Sequence, residues 1–194
     1  MSYLRAFALA LTCMLVLPAA AAAASETGGA EYPTPAAEPA DITVPGTKAQ
    51  LLADGTAAAP AEAPPEVQRA VWAGNDLREK PYKYGGGHGK VVDSGYDCSG
   101  TVSYVLIRAG LLASPLDSSS FMSWGSKGRG QWITVFTNPG HAYAKVAGLR
   151  LDTSSYAVST RRARAYPTAF ERGPRWRPSR RPSRGFKARH PVGF

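Results

Sequence analysis

The stretch Tyr96-Asp97-Cys98-Ser99-Gly100 decides the fold that we predict for this chain. It is followed by an apolar run, residues 101–109, that ends at Gly110. Within that run the apolar side chains recur every three or four residues, as they do on the buried side of a helix: Val102, Val105, Leu106 and Ala109. Asp97 suits the N-cap and Gly110 the end of such a helix, so Cys98 is expected in its first turn.

A cysteine in the first turn of a helix has two interpretations. Exposed backbone N–H groups and the positive end of the helix dipole favour the thiolate, which attacks carbonyl carbons. A free thiol titrates near pH ~8.5, and a neighbouring imidazolium lowers that value. Alternatively, Cys98 is a small buried apolar residue or half of a disulfide.

Residues 1–24 are organised like an export signal. Arg5 gives a positive start, residues 6–17 are apolar, and an alanine-rich end follows. The apolar segment is short for a membrane span, although an uncleaved anchor is the alternative. We therefore expect a protein secreted or held at the cell wall. Removal of the signal also removes Cys13, which leaves Cys98 as the only cysteine and excludes a disulfide within the chain.

Composition divides the remainder into three parts. Residues 25–64 are rich in Ala and Pro and nearly lack aromatic residues, which predicts a disordered linker. Residues 65–160 are expected to form one folded domain, beginning with a helix over residues 66–77. Residues 161–194 form a basic C-terminal extension whose end we expect to pack on the domain.

The basic extension holds the charge of the whole chain. It contains ten Arg and one Lys against one Glu, or +10, whereas the net charge of the whole chain is +9. Such a segment indicates a polyanion partner, and for an exported protein we expect anionic cell-wall polymers rather than nucleic acid. Its Pro- and Arg-rich part, residues 172–184, is the expected contact. A solvated tail with no specific partner is the alternative.

Three strands are predicted after the cysteine helix, at residues 132–136, 141–146 and 149–153. If Ala147-Gly148 is a two-residue turn, cross-strand partners have numbers that sum to 295. His141 and Asp152 then lie diagonally on one face, within reach of each other. The carboxylate would fix the imidazole tautomer and stabilise its charged form. An ordinary polar outer face is the alternative.

These residues resemble the bacterial NlpC/P60 peptidases. The matching motifs, in order, are Pro81-Tyr82-Lys83-Tyr84-Gly85-Gly86, Asp97-Cys98-Ser99-Gly100, Gly140-His141, and a polar residue one hairpin later. The resemblance covers about residues 65–154. It implies an α+β, papain-like fold, in which a small antiparallel sheet packs against the nucleophile helix. It also implies a secreted, thiol-dependent protease that cuts stem peptides of peptidoglycan.

The resemblance assigns roles to individual residues. It implies Cys98 as nucleophile, His141 as base and Asp152 as the third polar residue. Tyr84 and Ser99 are expected at the substrate or the oxyanion. We expect a monomer without a cofactor, and no metal, because three scattered histidines do not make a zinc site. The rival hypothesis is a non-catalytic, cationic wall-binding protein on the same scaffold.

Overall fold

The computed structural model describes residues 41–154, 173–178 and 183–194. The predicted signal peptide, the first part of the predicted linker, and residues 155–172 and 179–182 lie outside these residues. The helices are α1 (Pro65–Asp76), α2 (Cys98–Arg108) and α3 (Ser118–Phe121). The strands are β1 (Thr43–Val44), β2 (Gln50–Leu51), β3 (Ala57–Pro60), β4 (Ser126–Lys127), β5 (Ile133–Asn138), β6 (His141–Val146), β7 (Leu149–Asp152), β8 (Arg175–Arg177) and β9 (Lys187–His190).

An antiparallel sheet with the strand order β4-β9-β5-β6-β7-β8 forms one layer. In the β6–β7 hairpin Val146 pairs with Leu149 and Ala144 with Leu151, as the predicted register requires. The turn residues Ala147 and Gly148 both have positive φ, 44° and 95°. Positive φ at both central positions is the backbone of a type I′ turn, which matches the twist of the two strands.

Helix α2 packs against this sheet and against α1. Its apolar stripe, Val102, Val105 and Leu106, is fully buried, and strand β6 supplies Ala142, Ala144 and Val146 on the facing side. The predicted α+β class is therefore confirmed, with an antiparallel sheet and the cysteine helix packed on it. Among the described residues, no helix has the length and apolar character needed to cross a membrane.

The prediction of a disordered linker over residues 25–64 is wrong for its second half. Strands β1, β2 and β3 form a small sheet there, and the residues of β3 are buried. The Asn75 side chain bonds the backbone N–H and C=O of Ala57, at 2.8 and 2.9 Å. Alanine side chains are small enough to let β3 lie against α1, so this strand is buried without the large apolar residues that usually reveal one.

Part of residues 172–184, the expected polymer contact, is built into the sheet where the structure describes it. Strand β8 pairs with β7, and Trp176 is 5% exposed. Its indole Nε1 donates to Asn75 Oδ1 at 3.0 Å, and a side chain at Gly74 would overlap its ring. The end of the extension, which we expected to pack on the domain, forms β9, which lies between β4 and β5. The sheet therefore extends past the predicted domain end at residue 160.

Candidate active site

The start of helix α2 is fixed by the residue that precedes it. Asp97 is the N-cap, and its Oδ1 accepts from the Gly100 N–H at 2.7 Å. Its Oδ2 accepts from the Gly85 N–H at 3.1 Å, which ties the glycine loop to the helix. A side chain at Gly100 would overlap the backbone of Gly86. The small residues of both motifs therefore allow the loop to contact the first turn, where Cys98 is half-buried and not disulfide-bonded.

His141 is the first residue of β6, and its side chain lies next to Cys98. Its Nε2 lies 2.9 Å from Asp152 Oδ1, the diagonal pairing that the hairpin register predicts. Asp152 is 1% exposed, and the same oxygen accepts from the Ser154 N–H at 2.9 Å. The ring of His141 is therefore held by a carboxylate that the backbone in turn orients.

The Cys98 thiol hydrogen-bonds to His141. Because Nε2 of the ring faces Asp152, Nδ1 is the nitrogen left for the thiol. Burial is the largest influence on the pKa of Cys98 and raises it, but hydrogen bonds from His141 and from the Ala142 N–H outweigh burial. The net effect lowers the pKa of Cys98 below its usual value.

The pKa of His141 moves in the opposite direction. Burial, again the largest single influence, disfavours the charged ring, but the hydrogen bonds to Asp152 and Cys98 outweigh it and raise the pKa to about 9. A thiol with a lowered pKa beside an imidazole with a raised one favours a thiolate–imidazolium pair at pH values between the two. That pair holds a nucleophile and a proton donor side by side.

Aromatic rings pack around His141. The Phe186 ring meets it edge-on at a centroid distance of 6.2 Å, and the Tyr143 ring lies at 6.4 Å. Phe186 lies within the basic extension and immediately precedes β9. The sequence predicted that the end of the extension packs on the domain. It did not predict that Phe186 would contact the His141 ring.

Tyr84 is not placed where the resemblance led us to expect it. Its side chain is 91% exposed, because the chain enters a turn at this residue. The neighbouring Tyr82 forms a bridge with Tyr96 and lies close enough to Cys98 for the two charges to interact. Burial, and after it the charges of Cys98 and Asp97, raise the pKa of Tyr82. The structure thus brings Tyr82 close to the nucleophile.

The Ser99 side chain also differs from expectation. It is buried, and its Oγ donates to Asp97 Oδ1 at 3.2 Å, so it supports the helix cap. His88, to which the sequence assigned no role, lies 3.0 Å from the same carboxylate oxygen through Nε2. Ser99 and His88 therefore hold Asp97, and the Ser99 hydroxyl supports the helix cap. No group of His, Cys, Asp or Glu within the described ranges is arranged to hold a metal ion.

Comparison with known proteins gives a likeness of fold. No protein-family model and no curated protein matches the chain. Among solved structures, the peptidoglycan hydrolase RipB from Mycobacterium tuberculosis is similar with a TM-score of 0.46 and 17% sequence identity. The match covers 66% of this chain and 66% of RipB, slightly less than two thirds of that protein.

Proposed function

We propose that this protein is a secreted cysteine endopeptidase that cleaves amide bonds in the stem peptides of peptidoglycan. The observation that carries the proposal is the arrangement of Cys98, His141 and Asp152: a helix-start thiol, an imidazole and a buried carboxylate in one hydrogen-bonded line. Export is proposed from the signal-like residues 1–24, and the substrate class from the resemblance of the motifs around Cys98 and His141 to NlpC/P60 peptidases.

The first half of the reaction follows from the ion pair. The Cys98 thiolate attacks the amide carbonyl carbon, forming a C–S bond and an oxyanion. The backbone N–H groups at the start of α2 are the nearest donors for that oxyanion, with the Tyr82 hydroxyl beside them. The His141 imidazolium then donates its proton to the amine nitrogen as the C–N bond breaks, leaving an acyl-enzyme.

The second half returns the enzyme to its starting state. Neutral His141 accepts a proton from water, and the resulting hydroxide attacks the thioester carbonyl. The C–S bond breaks, the peptide leaves as a carboxylic acid that loses its proton to solvent, and the thiolate–imidazolium pair is restored. Asp152 keeps the ring oriented and stabilises its positive charge in both halves without transferring a proton.

The experiment digests purified peptidoglycan with the protein lacking residues 1–24 and identifies the soluble products by mass. We expect the products to carry new amine and carboxylate ends in equal number, at one type of amide bond. Cys98→Ala is the matched control and should release none while keeping the fold. Product release by that variant would contradict a cysteine mechanism. Wall binding without release by either protein would support the rival, non-catalytic hypothesis.

A further inference from the structure

A concave surface apart from the candidate active site lies on the outer face of the sheet. It is a pocket of about 340 Å³ whose lining includes Thr134 and Phe136 of β5 and Lys145 of β6. Thr134 pairs with Lys145 in the sheet. We call it the outer-face pocket. Lys145 is four residues along β6 from His141, which at about 3.3 Å per residue separates them by roughly 13 Å.

Positive side chains converge on the outer-face pocket. Lys48, Arg129 and Lys145 line it, and among the described lining residues there is no Asp or Glu. Within the described ranges none of these three side chains forms an ion pair. Like charges held together in a concave surface without a counter-charge create a positive potential that attracts anions.

One of the three cations is held in place by the fold. The Arg129 guanidinium lies over the Phe136 ring, 5.6 Å from its centroid, and one of its Nη2 hydrogens is donated to Ser183 Oγ at 3.3 Å. These contacts hold the planar group and leave other N–H donors of Arg129 for a ligand. A preorganised guanidinium suits phosphate and carboxylate oxygens, which it can bind through two parallel hydrogen bonds.

The neutral groups of the pocket are also short of acceptors. Trp132 is half-buried, and its indole N–H has no acceptor in the part of the chain that the structure describes. The Thr134 hydroxyl already accepts from the Gly130 N–H at 3.2 Å. A ligand that satisfies this lining must bring negative charge, oxygen acceptors and an apolar surface for the indole ring.

We propose that the outer-face pocket binds an anionic oxygen group, phosphate or carboxylate, carried on a sugar or polyol chain. Lys48, Arg129 and Lys145 supply the charge, and Trp132 packs against the chain that carries the anion. This assigns retention of an anionic polymer to the folded domain, in addition to the contact that the sequence led us to expect at the basic extension. Binding involves no covalent step, so it is independent of the proposed hydrolase activity.

The test measures binding by calorimetry to the Cys98→Ala protein, which cannot turn over a substrate. The probes are a glycerol phosphate hexamer, a galacturonate hexamer and inorganic phosphate. At least one hexamer should bind more tightly than phosphate, and the stronger of the two identifies the anion. In Arg129→Gln/Lys145→Gln, that affinity should fall about tenfold or more, because two charge-assisted hydrogen bonds are lost.

The matched control is Lys90→Gln/Arg108→Gln, which removes the same charge at two exposed positions outside the pocket. It should change affinity less than about twofold, and both double variants should keep the melting temperature. Equal losses in the two variants would overturn the proposal in favour of net charge alone. Absence of binding to either hexamer would overturn it as well. A thymidine hexanucleotide could also bind as tightly and lose the same affinity in Arg129→Gln/Lys145→Gln. That result would overturn the assignment to a sugar or polyol chain.

Discussion

Asp152 shows how one buried carboxylate sets the chemistry of its neighbour. It lies 2.9 Å from the His141 ring and is almost completely buried, and its hydrogen bond is the largest of the influences that raise the pKa of that ring. Because the carboxylate stabilises the charged imidazole, removing its charge must lower the pH at which His141 loses its proton. Its negative charge is therefore expected to control the alkaline limit of activity.

The variant Asp152→Asn tests this. The amide keeps the hydrogen-bonding shape but loses the charge, so the pKa of His141 should fall from about 9. The alkaline limb of the kcat/KM profile should move to lower pH, and the maximum should fall roughly ten- to a hundredfold, the loss expected for one charge-assisted hydrogen bond. An alkaline limb at the wild-type pH would show that Asp152 does not influence the ring.

The two tyrosines of the upstream motif give a paired test. Tyr82 lies near Cys98, whereas Tyr84 is 91% exposed. Tyr82→Phe removes a hydroxyl next to the developing oxyanion and should lower kcat/KM about tenfold or more. Tyr84→Phe is the matched control and should stay within about twofold of wild type. Activity that falls for Tyr84→Phe and not for Tyr82→Phe would restore the expectation drawn from the sequence.

The sequence located the motif that lies beside Cys98, but it did not identify which tyrosine of that motif is near the thiol. Tyr82 and Tyr84 would share one face of an extended strand, so periodicity cannot separate them. The turn that begins at Tyr84 separates them, and it depends on the contact of the glycine loop with α2. By contrast, the pairing of His141 with Asp152 follows from strand parity alone, which a two-residue turn fixes.

Among the elements, β9 links the basic extension to the site. It pairs with β5, and Phe186 just before it packs edge-on against the His141 ring. An edge-to-face aromatic contact is worth about 0.5–1.5 kcal/mol beyond the buried area, enough to favour one ring orientation. Phe186 is therefore interpreted as a positioning residue, because its contact is with His141.

Truncation of the Phe186 side chain should make the orientation of the His141 ring less fixed while leaving His141 in the site. Phe186→Ala is expected to lower kcat several-fold, leave KM within about twofold and raise the pH of the alkaline limb slightly, because burial disfavours the charged ring and the ring becomes more hydrated. Phe186→Leu should recover part of the loss because it refills the volume. Val192→Ala, at a position that is 78% exposed on the same segment, is the control and should have no effect. Equal steady-state constants for all four proteins would exclude a positioning role.

The elements that sequence analysis missed share a physical cause. Strand β3 consists of alanines and a proline, and strand β8 has one tryptophan between two arginines. Neither has the run of large apolar residues that indicates a buried strand. Both are stabilised by a contact distant in sequence, because Asn75 bonds the backbone of Ala57 and the indole of Trp176. Local composition cannot reveal such an interaction, whereas the helix at Cys98 is specified by its own cap and stripe.

At the scale of the whole molecule, the ion pair exists only when distant segments are brought together. Cys98 begins α2, His141 begins β6, and Asp152 ends β7. In the unfolded chain the thiol has none of these neighbours and titrates near pH ~8.5. The folded protein lowers the pKa of Cys98 only because the hydrogen bonds from His141 and the Ala142 N–H outweigh burial. The lowered value is therefore a property of the complete fold.

The most direct test measures the rate of Cys98 alkylation by iodoacetamide from pH 4 to 10, in protein lacking residues 1–24. We expect the native rate to rise at a lower pH than the rate in urea. In His141→Ala the rise should move to a pH at or above that of the unfolded chain, since burial then acts with less opposition. A native profile that coincides with the unfolded one, or that His141→Ala leaves unchanged, would contradict the thiolate–imidazolium pair.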